Sequence, residues 1–388
     1  MTDPSKFALR KFVAPEFIFG IGARRLAGRY ARNFGARKVL VVSDPGVIAA
    51  GWTDDVIASL EKESVEHAVY AAVTSNPKSG EVEEGAEIYR QEECNAIVAV
   101  GGGSPIDCAK GIGIVCTNKR EIGAFEGVDK VEFPTPPLIC VPTTAGSAAD
   151  VSQFAIISDS RRRMKFAIIS KMIVPDVALI DPATTTTMPT ELTACTAMDA
   201  FCHACEAFVS TAHSPITDLH SLEAIRLITT HLLAAMKAPD DIALRGEVML
   251  ASLEAGLAFS NASLGAVHAM AHSLGGLLDA PHGECNAILL PYVIEFNFPA
   301  VPDRYREIGK AMGLNVESMA SSGAMTALAA AVRRLCEGAG LSYTLTEVGV
   351  DQSVIPKLAE IAMHDPCIVT NPRKPSRRDI EAIYERAL

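Results

Sequence analysis

The chain of 388 residues lacks the features that mark secreted and membrane proteins. No run of about 18 apolar residues is present, so we expect no membrane-spanning helix. The start, MTDPSKFALRKF, has no apolar signal-peptide core, which favours a cytoplasmic location. The ten cysteines follow no disulfide spacing and are expected to be reduced thiols. The formal net charge of −11 argues against nucleic acid or an anionic membrane as the main partner.

The cysteines also lack a zinc-ribbon pattern. Cys202 and Cys205 form one CxxC inside an apparent helix, and no second CxxC follows to complete a zinc site. Redox or metal use of this pair is an alternative, but packing is the simpler interpretation. With 49% hydrophobic and 21% charged residues, the composition is that of a folded protein. The length favours two domains.

The two halves of the chain have different patterns. Apolar, strand-like runs alternate with helical spacing in the first half, which predicts parallel strands with helical crossovers. The strand-like runs are 38–44, 67–73, 95–103 and 136–150, with a last short strand pair at 172–182, and the intervening helices are 56–65 and 79–93. After about Pro189 the segments have helical spacing only, at 191–211, 215–236, 241–278 and 320–339.

This organisation predicts an α/β fold class. Residues 1–187 are expected to form a Rossmann-like, dinucleotide-binding domain with a parallel sheet. Residues 188–388 are expected to form an all-helical domain that binds metal. The boundary is placed near the segment ATTTTMP, which interrupts both patterns, and the active site is expected in the cleft between the domains.

A glycine loop follows one of the predicted strands. In AVGGGSPIDCAKGIG (99–113), three glycines and a serine lie between an apolar strand and a helix. Glycine lets backbone N–H groups approach a phosphate, and the helix N-terminus adds a partial positive charge. The loop matches neither GxGxxG nor the GK[ST] of a P-loop, so a tight strand-to-helix turn is the alternative interpretation.

Two further segments follow strands in the same half. Asp44, in VVSDPG, is placed to bind ribose hydroxyls and to repel a 2′-phosphate, which favours NAD over NADP. The alternative is that Asp44 only starts a turn with Pro45 and Gly46. The segment VPTTAGSAADVS (141–152) offers hydroxyls and small residues that suit a nicotinamide ribose or a pyrophosphate.

Three of the nine histidines lie within fifteen residues, in AVHAMAHSLGGLLDAPHGEC. His268 and His272 are four apart on an apparent helix and share a face, and His282 follows in an expected loop. Asp199 and His203 form a second pair with the same spacing. A carboxylate with imidazoles suits Fe(II), Zn, Mn or Co, although a single helical histidine is more often a packing residue.

In these segments the chain resembles the iron-dependent (group III) alcohol dehydrogenase family. The matching pieces run in family order through nearly the whole chain, and they are SDPG, NP (76–77), GGGSPIDCAK, PTTAGS, MDAFCHACEA, HAMAHSLGG, PHGECNAILLP and NPR (371–373). The resemblance implies Asp199, His203, His268 and His282 as metal ligands and His272 as a proton-relay or positioning residue. It implies as cofactor-binding residues Asp44, Asn76, Gly102, Gly103, Ser104, Thr143, Thr144, Ser152, Phe154 and Lys165.

The resemblance implies an NAD-dependent dehydrogenase that interconverts a primary alcohol and its aldehyde by hydride transfer. Fe(II) is the expected metal, with Zn as an alternative, and it would polarise the substrate oxygen. Asp150 and Ser152 stand where Glu and Thr are usual in the family, Ala197 replaces a usual Gly, and DPATTTTMP replaces a segment usually richer in Leu and Gly. The first and last of these departures are expected to alter the nicotinamide pocket and with it the substrate preference, and none affects a ligand.

Other functions remain open at this point. A lyase of the dehydroquinate synthase type also uses NAD and a metal, but its phosphorylated substrate calls for Lys and Arg in the cleft. The ligand-bearing segments here are apolar, which favours a small alcohol or aldehyde. A scaffold that retains the fold is a third alternative, which the intact ligand set argues against. A homo-oligomer, a dimer or a multiple of dimers, is expected on general grounds.

Overall fold

A computed structural model describes residues 8–341 and 344–388. They divide into two compact units. The sheet unit comprises Val13–Met188 with Asp240–Met249, and the helical unit comprises the residues up to Phe12 with Pro189–Pro239 and Leu250–Leu388.

The sheet unit is built on six parallel strands. Their spatial order is β1-β9-β6-β4-β2-β3, and their bounds are Glu16–Phe19 (β1), Lys38–Val42 (β2), Glu66–Tyr70 (β3), Ala96–Gly101 (β4), Leu138–Pro142 (β6) and Val177–Ile180 (β9). The central strands are continuous apolar runs because both of their faces are buried. Leu40 and Ile97 belong to the core on one face, and Val39 and Val98 to the core on the other. The predicted parallel sheet is therefore confirmed.

A second sheet of three short strands was not predicted. Phe154–Asp159 (β7) and Met164–Ile169 (β8) pair antiparallel, and Gly127–Val128 (β5) pairs with β8. The predicted strand pair at 172–182 is wrong in part, because only β9 forms there. Lys171–Ile173 is instead a short 3₁₀ helix, which begins where the Ser170 side chain accepts a hydrogen bond from the Met172 N–H.

Helices connect the strands of the large sheet. Their bounds are Ala27–Asn33 (α1), Pro45–Ala49 (α2), Trp52–Lys62 (α3), Ser79–Gln91 (α4) and Gly103–Asn118 (α5). Short 3₁₀ helices are found at Ala23–Leu26, Ile122–Phe125 and Pro182–Thr185. Because β2, β4 and β6 run parallel, their carboxyl ends lie at one edge of the sheet.

The rest of the described chain contains helices and no strand, as the sequence predicts. The helices are Thr190–Val209 (α6), Pro215–Lys237 (α7), Ile242–Ala262 (α8), Ala266–Leu278 (α9), His282–Asn297 (α10), Pro302–Ala311 (α11), Ser321–Gly338 (α12), Ile355–Ala362 (α13) and Arg377–Ala387 (α14), with 3₁₀ turns at Gln352–Val354 and Pro366–Thr370. The segment 241–278, predicted as one helix, breaks at Ser263, whose φ is +61°. None of the described helices is both long and apolar enough to span a bilayer.

Candidate functional site

Three helices of the helical unit bring the predicted metal ligands together. Asp199 and His203 lie on α6, His268 lies on α9, and His282 is the first residue of α10. His282 is therefore helical, and its predicted position in a loop is wrong. Pro281 precedes the helix at its N-cap, a place where the missing proline N–H costs nothing.

A glycine allows α10 to approach α6 closely. A Cβ on Gly283 would lie 2.2 Å from the Cys195 carbonyl oxygen, so no larger residue fits here without movement of the backbone. Gly283 directly follows His282, and Cys195 lies one helical turn before Asp199. This close approach places the His282 ring beside the Asp199 carboxylate.

We call Asp199, His203, His268 and His282 the ligand cluster. The donor atoms of Asp199, His268 and His282 all lie within 4.8 Å of one another, as a single metal ion requires. Asp199 Oδ1 lies 3.4 Å from His268 Nε2, 3.6 Å from His282 Nε2 and 3.8 Å from His203 Nε2. Two atoms that each lie about 2.1 Å from one ion are roughly 3 to 3.5 Å apart. A mixed set of one carboxylate and imidazoles is typical of sites for iron and zinc. The residues present therefore fit a divalent transition metal.

Packing and charge hold the rings in place. His203 stacks between Phe259 and His268, with ring centroids 4.2 Å and 4.4 Å away. Burial opposes ionisation of Asp199, but the charges of the nearby His203 and His282 and the hydrogen bond with His268 hold its pKa well below the usual range. Asp199 thus stays a carboxylate, the form that binds a cation.

The glycine loop lies at the carboxyl edge of the six-stranded sheet. It follows β4, whose neighbours on either side are β2, followed by Asp44, and β6, followed by Thr143. The Thr143 N–H donates to the Gly101 carbonyl, so the loops after β4 and β6 lie side by side. The ends of adjacent parallel strands are the usual place for a nucleotide in an open sheet of this kind.

The glycines of this loop are required by close packing. A Cβ on Gly102 would lie 2.9 Å from Thr144 Cγ2, and a Cβ on Gly103 would lie 2.8 Å from Ser147 Oγ. Gly101 has φ +155° and faces the ring of Pro105. The sixteen-residue helix α5 begins at Gly103 and presents its first N–H groups at this edge. A loop without side chains at a helix N-terminus fits a pyrophosphate.

Two family models match this chain. A family model described as iron-containing alcohol dehydrogenase matches residues 14–182, and a model described as the C-terminal part of the Fe-containing alcohol dehydrogenase family matches residues 193–388. The chain belongs to the iron-containing alcohol dehydrogenase family. It is an oxidoreductase that interconverts alcohols and aldehydes.

Relatives match this dehydrogenase over nearly its whole length. It is 39% identical to the 1,3-propanediol dehydrogenase of Klebsiella pneumoniae, over 95% of this chain and 96% of the relative. It is 34% identical to the NAD-dependent methanol dehydrogenase of Bacillus methanolicus, over 97% of this chain and 99% of the relative. A crystal structure of a 1,3-propanediol oxidoreductase matches with a TM-score of 0.95 at 38% identity, covering 98% of this chain and 100% of that one.

Glu206 is a residue of the dehydrogenase's ligand cluster that sequence reasoning missed. Its buried carboxylate accepts hydrogen bonds from His268 Nδ1 at 2.6 Å and from the Val267 N–H at 2.7 Å. Burial lowers the pKa of His268, but hydrogen bonds with Asp199 and Glu206 outweigh it and raise this pKa to about 9. With Nδ1 bonded to Glu206, Nε2 is directed at the cluster. Glu206 lies seven residues after Asp199 on α6 and therefore on the same helix face, and this spacing could have identified it.

His272 lies beside the ligand cluster and has its own carboxylate partner. Its Nδ1 lies 2.8 Å from Asp365 Oδ2, and its ring is parallel to that of His282 with centroids 5.3 Å apart. Burial opposes ionisation of Asp365, but the charge and hydrogen bond of His272 hold the Asp365 pKa below its usual value. Asp365 is 93 residues away in sequence, so no spacing pattern could have identified it.

In the sheet unit, Asp44 starts a turn with Pro45 and Gly46, the alternative that the sequence offered, and it caps the helix that follows. Its side chain accepts the Val47 N–H at 3.0 Å and begins α2. A capping carboxylate retains acceptor capacity, so the ribose-binding role stays a prediction. Asn76 adopts a φ of +56°, and Lys165 lies on β8.

Lys110, another residue missed by the sequence analysis, links the glycine-loop helix to β7. It is fully buried, and its Nζ donates to the carbonyls of Ser152 at 2.9 Å and Phe154 at 2.6 Å. Asp107, on the same helix, accepts the Ile156 N–H at 3.1 Å. Both Ser152 and Phe154 are buried. The motif residues Asp107 and Lys110 thus position β7, which begins at the predicted cofactor residue Phe154, and the segment just before it, which holds Ser152.

Cys202 and Cys205 are buried on α6, and burial raises the pKa of each thiol well above its usual value. Protonated, buried thiols of this kind are packing residues rather than nucleophiles.

Proposed function

We propose that this chain is an NAD-dependent, Fe(II)-dependent dehydrogenase of a small primary alcohol and its aldehyde. The observation that carries the proposal is the spacing of Asp199, His268 and His282, whose donor atoms all lie within 4.8 Å of one another. Zn is the alternative metal, because imidazole and carboxylate bind both ions.

Each residue of the ligand cluster has a separate part in the proposed reaction. Asp199, His203, His268 and His282 would hold the ion, and Glu206 accepts a hydrogen bond from His268 Nδ1 and so directs Nε2 inward. His282 is the most exposed of the ligands, with 26% of its side chain accessible against 1% for His268. Substrate would therefore reach the ion from the side of His282.

Other residues would bind NAD and handle the proton. The N–H groups of Gly103 and Ser104 would hold the pyrophosphate, and Asp44 would bind the adenosine ribose. The remaining proposed cofactor residues are Asn76, Gly102, Thr143, Thr144, Ser152, Phe154 and Lys165. When bound, the metal would supply Lewis-acid polarisation of the alcohol oxygen, and NAD would accept a hydride from the carbon that bears that oxygen. His272, oriented by Asp365, would position the hydroxyl group or take up its proton.

The organisation of the chain supports a division of these tasks. We place the boundary between a dinucleotide-binding part, 1–187, and a metal-binding part, 188–388, one residue before the compact units divide after Met188. The segment Asp240–Met249 falls in the second part by sequence but belongs to the compact sheet unit. A cytoplasmic homo-oligomer is proposed from the ten free cysteines and from the general frequency of symmetric assemblies.

The test is NADH formation by protein stripped of metal and then loaded anaerobically with Fe(II) or Zn. Straight-chain alcohols, diols and aromatic alcohols would be compared as substrates. The variant His231→Ala, which removes a histidine outside the ligand cluster, is the control. We expect turnover to require the ion, and NADH to raise the melting temperature more than NADPH does. Bound metal and NAD without turnover of any alcohol or aldehyde would contradict the proposal and favour the lyase alternative.

A further inference from the structure

Asn286 lies inside the ligand cluster although it is not among the four expected ligands. It is on α10, one helical turn after His282, and its side chain is fully buried. Its Nδ2 lies 2.7 Å from Asp199 Oδ1, 3.1 Å from His268 Nε2 and 3.3 Å from His282 Nε2. One amide group thus contacts three of the donor atoms that would bind the ion.

The other end of this amide is unsatisfied. Asn286 Oδ1 is buried and has no hydrogen-bond partner among residues 8–341 and 344–388. A buried carbonyl oxygen without a partner is costly, and native proteins rarely contain one without a reason such as an ion. Nδ2, in contrast, donates a hydrogen bond to Asp199 Oδ1, the atom that would bind the ion.

The geometry makes the two ends of the amide interchangeable. Nδ2 is separated from its three neighbours by distances similar to those between the ligands themselves, 3.4 Å and 3.6 Å from Asp199 Oδ1. An amide rotated end for end has nearly the same shape, with oxygen in the place of nitrogen. Oxygen in that place would repel Asp199 unless a cation lay between them.

We propose that Asn286 is a further member of the metal site, with two orientations of its amide. In the metal-free protein, Nδ2 donates to Asp199 and holds the ligands together. When the ion enters, the amide turns and directs Oδ1 at the ion. The inference rests on the proposed metal site and adds to it a neutral oxygen donor from the same helix as His282.

The first test is the metal affinity of Asn286→Ala. Metal-free protein would be titrated with Zn or Co(II) against a chromophoric chelator, and the melting temperature of the metal-free form would be measured in parallel. We expect the dissociation constant to rise at least about tenfold, the size typical of residues that support metal ligands, and the melting temperature to fall. The visible spectrum of bound Co(II) is expected to change, because it reports the number and type of ligands.

Asn286→Asp tests the role of the side-chain oxygen separately from that of the N–H donor. It also provides a test if Asn286→Ala does not fold. It keeps an oxygen for the ion, but it places a second carboxylate beside Asp199. We expect a lower melting temperature without metal and binding of the ion at least about tenfold tighter than in the wild type. Binding equal to or weaker than that of the wild type would overturn the inference.

Asn297→Ala is the matched control. Asn297 is also buried on α10, and its amide pairs with Asn371 rather than with a ligand. It should lower the melting temperature and leave the metal dissociation constant within twofold. Wild-type protein that binds metal, with unchanged affinity in Asn286→Ala, would overturn the role of Asn286 alone. Wild-type protein that binds no metal would overturn the proposed metal site as well.

Discussion

The ligand cluster of the helical unit and the glycine loop of the sheet unit are built from different parts of the polypeptide. In the cluster, Asp199, His268 and Glu206 act through their side chains, and each donor atom has a defined partner. In the loop, Gly102 and Gly103 act through the absence of a side chain, which lets the backbone pack closely against Thr144 and Ser147. One site depends on which side chains are present, and the other depends on where side chains are missing.

This contrast determines how each site should fail. Removing a ligand takes away a donor atom that nothing nearby replaces, so the effect on metal binding should be large. Adding a methyl group to the loop displaces the backbone by a fraction of an ångström, so the effect on cofactor binding should be graded. Each class of variant should leave the function of the other site intact.

The largest effect is expected for His268→Ala. The substitution removes an imidazole that lies 3.4 Å from Asp199 and leaves the Glu206 carboxylate buried without its main partner. Metal affinity should fall more than roughly 100-fold, and turnover should fall to background, since a ligand counts for more than its supporting residues. Metal content by atomic absorption and NADH binding by fluorescence check this. Loss of NADH binding together with the metal would mean that the two sites are not separable.

A smaller effect is expected for Glu206→Gln. The amide retains one acceptor oxygen but loses the charge that holds His268 Nδ1 and two backbone N–H groups. Metal affinity should fall about 10- to 100-fold, with NADH affinity unchanged. Chelator competition measures it, with Glu223→Gln, an exposed ion-pair residue on α7, as the control. Equal metal affinities in the two variants would show that the charge of Glu206 does not affect metal binding by the ligand cluster.

Gly102→Ala tests the loop in the same way. Its Cβ would meet Thr144 at 2.9 Å, so the loop or the threonine must shift. NADH affinity should fall about tenfold while metal content stays complete, because positioning errors of this size weaken contacts without removing them. Gly123→Ala is the control, since no atom lies within 4 Å of its added Cβ. Isothermal titration with NADH compares the two, and equal affinities would contradict the close-packing argument.

The smallest effect is expected for Asp150→Asn, and it concerns stability. Burial raises the pKa of Asp150 to about 6, above its usual value near 4, although a backbone hydrogen bond and Lys110 oppose this. The folded protein therefore holds this proton more tightly than the unfolded chain. The resulting stabilisation is complete below about pH 4 and is lost as the pH rises through 6.

Asn mimics the protonated form, so the variant should gain a few degrees in melting temperature over the wild type at pH 8 and nothing at pH 4. Calorimetry at both pH values measures the difference, and metal affinity should not change. Asp54→Asn, at an exposed position on α3, is the control. A variant with the same pH dependence as the wild type would show that Asp150 is not the group responsible.

The two units also differ in how far their structure could be predicted. Strands such as β2 and β4 were predictable because both faces are buried, and the whole run is therefore apolar. The β7–β8 pair was not, because Met164–Ile169 mixes a charged residue with apolar ones and the start of β7 is held by the buried Lys110. A lysine in a glycine-loop motif gives no local sign that it points inward.

In the helical unit the ligands were predictable and their partners were not. The i,i+4 spacing of Asp199 with His203 requires only that α6 be helical. The approach of α10 to α6 depends on Gly283 fitting against the Cys195 carbonyl, which no periodicity encodes. The same approach brings Asn286 to the ligands, and a separate turn brings Asp365 to His272.

The sequence by itself determined the alternation of strands and helices, the change to helices after Pro189, and the types of residue available to bind a metal and a dinucleotide. These properties follow from local spacing and from the burial each segment requires. Only the tertiary structure decided which carboxylate holds each histidine, that His282 begins a helix, and that an asparagine amide lies among the ligands. Those contacts join residues on different helices, and their distances depend on side-chain packing between elements far apart in the chain.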